Sequence, residues 1–440
     1  MTFIRTLLFM GLLVFCEQLP AQTLTYTDTE IRSEWVDDLK IFVTKEGECH
    51  LWKSGFDGVY MYRYDQYLHF KDRLRVAFES PAVSFSETKD GYVVMVSGDR
   101  KTLVYQWQNG ALKQLENTAI NKVISASKAA YIHILAVDTT IFLVQLNAPA
   151  KDNIGKIQVD FFDLAINPIK SVEAAISDMD YVNPSFSFLP TSNSLLFSYM
   201  INPAMANGFR VLGFQAHKDQ PATQLFRSPD LVFSDHKLLK LGDEILMHTN
   251  ASDPAIEGGD IFNYIIRINK DLDVKSAEFI TKAKNAPFWK ARYRYIPHRL
   301  FSLPNKQYMV TDNVFPEWMP NMTYENGFIR FLALDSSLQP IKAWHFSLLR
   351  TDIRPLFVTE LNGKVKWLAA SNKIGKDIEY NLFSYSIEDD MIKPDAAFRL
   401  QPHTRYLPEN AVQTAPGILV VPYLRDAKKW GLVKINWNTN

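Results

Sequence analysis

The sequence is poor in cysteine and carries no net charge, and each of these absences excludes or disfavours some classes of protein. Only Cys16 and Cys49 occur among 440 residues, which excludes a small fold held together by disulfides. The 48 basic and 48 acidic side chains cancel, which argues against nucleic acid or an anionic membrane surface as the partner. Hydrophobic residues make up 47% of the chain. We therefore expect stability to come from a large core, with Cys49 as a buried structural thiol.

No sequence motif of a catalytic centre is present. The chain contains no Gly-x-Ser-x-Gly elbow, and its nine histidines show no His-Glu-x-x-His spacing. Its 18 glycines are scattered among predicted turns, so no phosphate-binding loop is indicated. Asp253, Glu257 and Asp260 share one segment, but they lack the alternating oxygen ligands of a calcium loop. We interpret that segment as a solvated loop and expect neither a metal nor a cofactor.

Long apolar runs are missing from the chain except at its N-terminus. Leu7 to Phe15 is apolar, follows the positive Arg5 and is too short for a membrane helix. Together with a cleavage site at Leu19-Pro20-Ala21, these features predict a signal peptide over residues 1–21 and a mature chain starting at Gln22. We expect a secreted or periplasmic protein without a transmembrane helix.

Cys16 raises the alternative of lipidation and membrane anchoring. A lipoprotein signal needs a small side chain directly before its cysteine, where this chain has Phe15. Cleavage after Ala21 is therefore the prediction that we prefer.

The strongest pattern in the mature chain is a repeat. Pairs of β-rich apolar runs joined by a tight polar turn recur about every 40 to 65 residues, a period typical of four-stranded propeller blades. The turns are Lys45-Glu46-Gly47-Glu48, Thr88-Lys89-Asp90-Gly91, Ser127-Lys128-Ala129, Thr191-Ser192-Asn193, Leu241-Gly242-Asp243, Pro304-Asn305-Lys306, Leu361-Asn362-Gly363 and Ala415-Pro416-Gly417. We predict an all-β fold, a closed β-propeller of about eight blades that forms one domain over residues 22–440. Seven blades are the alternative, if the first or third unit merges with a neighbour.

The corner between the third and fourth strands repeats as well. Ile268 to Leu272, Leu334 to Leu338 and Ile387 to Met391 match in length and polarity, and each is followed by an alanine at the same distance. These phrases resemble those of secreted bacterial propeller-like proteins. The last unit has only three predicted strands, whereas Thr23 to Thr27 alternates polar and apolar residues without a unit of its own. We predict that this N-terminal strand closes the ring on the last blade, and we expect a monomer.

The first unit resembles a known repeat. Its stretch Leu51-Trp52-Lys53-Ser54-Gly55-Phe56-Asp57-Gly58-Val59-Tyr60, followed by Tyr64-Asp65, is similar to the repeat of two-component-regulator propellers. Those repeats form sensor modules outside the membrane, so the resemblance implies a propeller blade and, as a third functional hypothesis, a sensor. No transmembrane helix or signalling domain follows in this sequence.

Connection lengths predict which face of the ring binds. In a propeller, the turns between strands one and two lie on the same face as the turns between strands three and four. In this sequence the turns predicted for that face are short. The opposite face carries the long connections, predicted at residues 165–182, 201–208, 250–261, 281–294, 313–327, 371–379, 401–409 and 425–430. Long connections on a rigid scaffold are where binding residues concentrate.

Aromatic and charged side chains gather in two of these loops, residues 285–295 and 315–321. Flat rings beside hydrogen-bonding groups suit sugar rings, and they equally suit the apolar anchors of a protein partner. The predicted ligand-binding residues are Trp289, Arg292, Tyr293, Arg294, His298, Glu317, Trp318 and Tyr324. The alternative is that these rings cap the blade cores or fill the central channel.

Two functional hypotheses follow. The first is a non-enzymatic extracytoplasmic binding or scaffold protein whose loop-rich face takes a protein or carbohydrate ligand. The second is a carbohydrate-active enzyme, a glycosidase or lyase, with two carboxyl groups on that same face. Its acid and base would come from Asp253, Glu257, Asp260 or Glu317.

Two histidines add a further alternative. His236 and His298 begin corresponding first strands in the fifth and sixth units. They either face the channel together, as a metal or acid–base pair, or serve as structural histidines.

Overall fold

A computed structural model describes residues 23–436, apart from internal gaps. The longer gaps are residues 33–38, 149–154, 202–207, 253–260, 269–277, 280–292, 303–307, 317–325 and 374–378. Within the described part the chain forms eight antiparallel sheets, seven with four strands and one with six. This confirms the predicted β-propeller and favours eight blades over seven. No helix among the described residues is long and apolar enough to cross a membrane.

The strands follow one another blade by blade. Two N-terminal strands, β1 (Thr23–Tyr26) and β2 (Ile31–Arg32), precede the first blade. Blade 1 comprises β3 (Leu39–Val43), β4 (Cys49–Gly55), β5 (Gly58–Tyr64) and β6 (Phe70–Ala77). Blade 2 comprises β7 (Ala82–Thr88), β8 (Gly91–Gly98), β9 (Lys101–Gln108) and β10 (Ala111–Gln114), followed by helix α1 (Ala119–Ala126). Blade 3 comprises β11 (Tyr131–Val137), β12 (Thr140–Asn147), β13 (Gly155–Asp163) and β14 (Pro168–Ile176). Blade 4 comprises β15 (Phe186–Thr191), β16 (Ser194–Met200), β17 (Gly208–Gln215) and β18 (Ala222–Arg227).

The second half of the chain repeats this plan. Blade 5 comprises β19 (Val232–Leu241), β20 (Glu244–Ser252), β21 (Ile261–Ile268) and β22 (Glu278–Phe279). Blade 6 comprises β23 (Tyr293–Ser302), β24 (Tyr308–Pro316), β25 (Asn326–Leu334) and β26 (Pro340–Leu349). Blade 7 comprises β27 (Thr351–Leu361), β28 (Lys364–Lys373), β29 (Glu379–Glu388) and β30 (Met391–Ala397). Blade 8 comprises β31 (Thr404–Tyr406), β32 (Val412–Ala415), β33 (Ile418–Arg425) and β34 (Lys429–Asn436).

The first strand of each blade lies innermost. First strands of neighbouring blades contact one another, as β7 contacts β11, β11 contacts β15 and β15 contacts β19. Serine side chains join some of these pairs. Ser84 Oγ donates to the carbonyl oxygen of Ile134 at 3.0 Å, and Ser187 Oγ accepts a hydrogen bond from the backbone N–H of Leu238 at 3.0 Å. These bonds supply partners for backbone groups at edges that have no further strand beside them.

Each core cluster among the described residues joins two neighbouring blades. One cluster, for example, packs Phe142 and Phe161 of blade 3 against Phe197 of blade 4, and all three side chains are buried. Fully burying such an aromatic side chain contributes about 2–3 kcal/mol. Equivalent clusters join blades 1 and 2, 2 and 3, 4 and 5, 7 and 8, and 8 and 1. The core is therefore shared between blades rather than divided among them.

A tight corner between the third and fourth strands recurs in blades 1, 3 and 6. In blade 6 the Asp335 carboxylate accepts hydrogen bonds from the backbone N–H groups of Ser337 at 2.8 Å and Gln339 at 2.9 Å. Leu338 then adopts a φ of 63° while its side chain is buried. The same arrangement places Leu68 and Ile166 at φ values of 68° and 65°. An apolar residue in left-handed conformation is unusual, and here its burial holds it there.

Five parts of the sequence prediction were wrong in detail. Ser127-Lys128-Ala129 is not a hairpin turn, because it follows helix α1, and the first hairpin of blade 3 turns at residues 138–139. Residues 165–182 are not a long connection, since they contain β14, and residues 401–409 contain β31. Residues 425–430 hold only a short turn between β33 and β34. The blade 7 corner is a two-residue turn between Glu388 and Met391, unlike the longer corner at Asp335.

The N-terminal segment is fastened to blade 8. Strand β1 pairs antiparallel with β34, joining Thr23 to Asn436 and Tyr26 to Val433, and β2 pairs with the same strand. The phenol of Tyr26 lies 2.7 Å from that of Tyr406. Glu30 accepts hydrogen bonds from Tyr423 and Arg425. Pairing of the N-terminal strand with the last blade is therefore present, and its role in closing the ring stays a prediction.

Candidate functional site

The structure describes three of the predicted binding residues only by their backbone. Tyr293, Arg294 and His298 lie in β23, where Tyr293 pairs with Pro316 and His298 sits at a register shift between its neighbours. The other predicted residues fall outside the described residues, namely Trp289, Arg292, Glu317, Trp318 and Tyr324. The predicted acidic group, Asp253, Glu257 and Asp260, also falls outside them.

Register shifts recur near the start of the innermost strands in blades 5, 6 and 7. They fall between Ser234 and His236, between Pro297 and Arg299, and between Pro355 and Phe357. Such bulges bend a strand and are common next to functional sites. Tyr293 and Arg294 therefore begin a bulged inner strand, at the end of the ring where the predicted loops emerge.

His236 has partners in the neighbouring blade. Its Nε2 lies 2.9 Å from Ser198 Oγ and its Nδ1 lies 3.4 Å from Ser185 Oγ, while its ring packs 4.8 Å from the Phe209 ring. These contacts tie blade 5 to blade 4. They favour the structural interpretation of His236 over a channel-facing metal or acid–base pair.

The hairpin face, formed by the turns between strands one and two and between strands three and four, is tied together by contacts between turns. Lys45 of blade 1 forms an ion pair with Asp90 of blade 2. The backbone N–H of Lys89 donates to the carbonyl oxygen of Asp138 in blade 3 at 2.9 Å. The Ser192 hydroxyl of blade 4 donates to the Asp138 carboxylate. Four consecutive blades are thus linked along this face, which leaves its turns little freedom.

A cavity of about 340 Å³ opens on the hairpin face between blades 8, 1 and 2. Its bottom consists of the nearly fully buried rings of Phe42, Tyr92 and Trp107. The Lys45–Asp90 ion pair belongs to its wall. The remaining charged lining residues are Glu46, Glu87 and Lys89. Because the lining carries both signs and its rings are covered, the cavity favours no ligand charge and offers no stacking surface.

Behind this cavity lies a buried polar chain. The Trp52 indole N–H donates to the Tyr92 hydroxyl at 3.1 Å, and that hydroxyl lies 2.7 Å from His50 Nδ1. We assign the phenol proton to this second bond, because indole can only donate. His50 Nε2 then faces Glu48 at 3.5 Å, and Lys71 also contacts that carboxylate. Burial lowers the pKa of His50 to about 4, so its imidazole is neutral at pH 7.

This polar chain holds no open reaction site. His50 is fully buried and Tyr92 is 2% exposed. Cys49 is buried as predicted, and burial raises the pKa of its thiol to about 12. Among the described residues no group of three His, Cys, Asp or Glu side chains is placed to hold a metal ion.

The loop face, opposite the hairpin face, carries an aromatic cluster at the inner edge of blades 3 and 4. Its four members, Tyr131, His133, Phe186 and Phe188, form the channel-mouth cluster. Tyr131 and Phe186 are the first residues of β11 and β15, and their ring centres lie 5.8 Å apart. The ring of His133 lies 5.3 Å from that of Phe188. Tyr131 is 42% exposed, and the other three side chains are half-buried.

The sequence analysis did not predict this cluster, although the sequence contains a pattern of alternating aromatic residues in both strands. Tyr131 and His133 alternate with isoleucines, and Phe186 and Phe188 are separated by a serine. Such alternation places both rings of each strand on the same face of its sheet. Alternating aromatics are equally typical of a core, and Phe186 and Phe188 do pack against the core cluster of blades 3 and 4.

Comparison with known proteins identifies no family for this chain. No family model and no curated protein sequence matches this chain. A prolyl endopeptidase is similar in structure, with a TM-score of 0.44 and 6% identity over 92% of this chain, which spans 55% of that enzyme. The β-propeller domain of the Trilobed protease from Pyrococcus furiosus has a TM-score of 0.41 and 12% identity, covering 81% of this chain and 96% of that domain. The WD40 domain of Toxoplasma gondii coronin has a TM-score of 0.38 and 9% identity, covering 96% of this chain and 88% of that domain.

The protein is a β-propeller, and we base that statement on its own sheet topology. A fold by itself does not determine an activity, so none is assigned to this chain from its fold.

Proposed function

We propose that the protein is an exported, non-enzymatic β-propeller that binds a protein or carbohydrate ligand on its loop face. The observation that carries this proposal is the difference between the two faces. Turns on the hairpin face are short and bonded from blade to blade, as Lys89 is to Asp138. Exposed apolar side chains occur on both faces, such as Phe56 at 68% on the loop face and Tyr67 at 62% on the hairpin face. The loop face differs by its longer connections, such as the one between β24, which ends at Pro316, and β25, which begins at Asn326. Long connections on a rigid ring are suited to binding.

The predicted anchors fit this placement. Tyr293 and Arg294 begin β23 at the loop-face end of the ring, and the loops of Trp289 and Trp318 adjoin the two ends of the β23–β24 hairpin. Large rings with one polar edge are the side chains that most often dominate the free energy of binding. We assign the anchoring role to Trp289, Arg292, Tyr293, Trp318 and Tyr324, with Arg294 and Glu317 orienting the ligand.

A capture experiment tests these anchors. The mature protein is immobilised and exposed to extracellular and periplasmic extract of its host, beside a variant with Trp289→Ala and Trp318→Ala. We expect the double variant to lose capture while its melting curve stays nearly unchanged. Tyr67→Ala, which removes an exposed ring from the hairpin face, is the matched control and should capture normally. Undiminished capture by the double variant would contradict the assignment.

Export itself rests on the N-terminal segment. Mass spectrometry of the protein recovered outside the cytoplasm should give a mature chain that begins at Gln22. A lipid attached to Cys16, or an intact Met1, would contradict that expectation.

A further inference from the structure

We propose that a positive patch on blade 1, the rim patch, binds an acidic segment of a protein partner. The rim patch comprises Lys53, Phe56, Asp57, Tyr60 and Arg75, at the loop-face end of strands β4, β5 and β6. All but Arg75 lie in the stretch that resembles two-component-regulator repeats. None of the five is among the anchors of the proposed function, so the rim patch is a second binding position.

Strand pairing places three of these side chains in one row across blade 1. Lys53 of β4 pairs with Tyr60 of β5, and Tyr60 pairs with Arg75 of β6. Residues paired in this way point to the same side of a sheet. Lys53 Nζ accordingly lies 5.4 Å from the centre of the Tyr60 ring, and Arg75 Cζ lies 5.7 Å from it. The row therefore holds two cations against one aromatic ring.

Lys53 is the residue that points to a ligand. It is only 2% exposed, and no described residue accepts a hydrogen bond from its ammonium or forms an ion pair with it. The Tyr60 ring stabilises the charge, but an ammonium has three N–H donors that need acceptors. Nζ is not among the unpaired polar atoms that are closed off from solvent, so a ligand can reach it. A carboxylate placed there would offset the cost of burying the unpaired charge.

The remainder of the rim patch is open to solvent. Phe56 is 68% exposed, and the side chains of Asp57 and Arg75 are 59% and 55% exposed. Asp57 accepts hydrogen bonds from the Tyr60 hydroxyl at 2.6 Å and from Arg75 at 3.0 Å, which hold the guanidinium beside the ring. Because Asp57 offsets one of the two cations, the row carries one positive charge in excess.

This excess charge favours a peptide carboxylate as the ligand. One carboxylate matches it, whereas a phosphate dianion would exceed it and would be repelled by Asp57. Arg73 is exposed two residues along β6 and would attract a second acidic side chain of a peptide. Phe56 adds an apolar contact beside the charges. Aromatic and arginine side chains are enriched at protein interfaces, so an acidic peptide with apolar neighbours fits the patch better than an anionic glycan.

Binding to an array of synthetic peptides, with heparin as an anionic glycan beside them, tests the ligand class. The peptides carry glutamate next to leucine or phenylalanine, and matched peptides carry glutamine instead. The mature protein should bind the glutamate peptides, and the best of them should then bind in isothermal titration. Lys53→Met should raise its Kd about tenfold or more, and the exposed Arg75→Gln about threefold. Lys113→Met, at an exposed lysine of blade 2, is the matched control and should bind normally.

The pH dependence of binding distinguishes Lys53 from a permanent charge. Burial lowers the pKa of Lys53 to about 8, although the charge of Asp57 raises it. The pKa values of Tyr60 and Tyr62 are raised and that of Asp57 is lowered, so these groups do not titrate between pH 7 and 9. Leu39, which pairs with Lys53 on the other side, carries no charge. The Kd should therefore rise about tenfold from pH 7 to pH 9, and Lys53→Met should lose this dependence.

One comparison separates this inference from the proposed function. The Trp289→Ala, Trp318→Ala variant should keep its affinity for the peptide, and its loss of protein capture would leave the rim patch standing. Equal melting curves establish that each variant is folded, and if Lys53→Met unfolds, Arg75→Gln and the pH dependence decide. Binding to no peptide, equal binding of the glutamine peptides, binding to heparin alone, or unchanged affinity in folded Lys53→Met would overturn the inference.

Discussion

At the scale of single residues, burial decides which side chains behave unusually. Leu68, Ile166 and Leu338 adopt positive φ values that glycine or asparagine normally occupies. The cost of that conformation is about 1–2 kcal/mol, whereas exposing a buried leucine would cost a comparable or larger amount. Each residue is at most 5% exposed. Packing between blades therefore outweighs the backbone preference at all three corners.

Burial also changes the titration of His50, and this change predicts that the stability of the folded protein depends on pH. Burial lowers the pKa of His50 to about 4 in the folded protein, while an unfolded chain returns it to about 6.5. The unfolded chain therefore takes up the proton first, and the folded state loses stability as the pH falls from 6.5 toward 4. At pH 4.5 the loss due to His50 is on the order of 2 kcal/mol.

Chemical denaturation at pH 7 and pH 4.5 measures this loss. His50→Gln keeps a hydrogen-bonding side chain without a titrating group, so its free energy of unfolding should fall by about 2 kcal/mol less than that of the unchanged protein over this range. His217→Gln, at an exposed histidine, is the matched control. Parallel pH curves for His50→Gln and the unchanged protein would contradict the assignment of a buried neutral imidazole.

At the scale of strands, the position of a strand in its blade determines how well it can be predicted from the sequence. Strand β12 is buried along nearly its whole length, and its run Ile141–Val144 is correspondingly apolar. The outer strand β14 alternates buried and exposed residues and starts at Pro168, so its sequence looks like a loop. Outer strands pack on one face only and expose charge that protects the sheet edge. The sequence therefore predicted middle strands well, and the outer strand β14 was missed.

Prediction of the candidate sites from the sequence is limited in a similar way, because local patterns do not show which segments meet in the fold. Turn residues such as Gly47 identify hairpins from the sequence. The turn itself requires the φ of 82° at Gly47, which glycine adopts readily. Ser127-Lys128-Ala129 has a similar composition yet ends a helix, since Ser127 N–H donates to Ile124. Which rings of a repeat reach the inner edge depends on contacts between blades about 50 residues apart. Local pattern cannot supply that information, so the channel-mouth cluster was missed.

From the pairing of the N-terminal segment with blade 8, we predict that strand β1 contributes measurably to the stability of the protein. A chain that starts at Thr27 lacks β1 but keeps β2, and it loses the Tyr26–Tyr406 contact. The part of β34 from Val433 to Asn436 then loses its pairing with β1, so we expect a lower melting temperature than for the chain that starts at Gln22. Hydrogen exchange should accelerate at the β34 amides more than at β12. Identical melting temperatures and exchange rates would show that β1 does not hold the ring closed.

At the scale of the whole molecule, the shared cores predict cooperative unfolding. Phe142 of blade 3 packs with Phe197 of blade 4, and Trp52 of blade 1 packs with Tyr92 of blade 2. A blade joined by one of these described clusters cannot lose its sheet without exposing core residues of its neighbour. Differential scanning calorimetry should therefore show one transition, with a calorimetric enthalpy close to the van't Hoff enthalpy. Two well-separated transitions would mean that groups of blades unfold independently.

The pairing of β1 with β34 also sets an order of events during synthesis. Tyr26, Thr27 and Glu30 meet partners that lie 380 to 405 residues later in the chain. The first strand to be made must therefore wait, unpaired, until the last one has been translated. Contacts of such separation form late, because the entropy of closing the intervening loop has to be offset first. The sheet of blade 8 therefore stays incomplete in a nascent chain until β34 has been made, and the waiting strand β1 is an unpaired segment that a chaperone could bind.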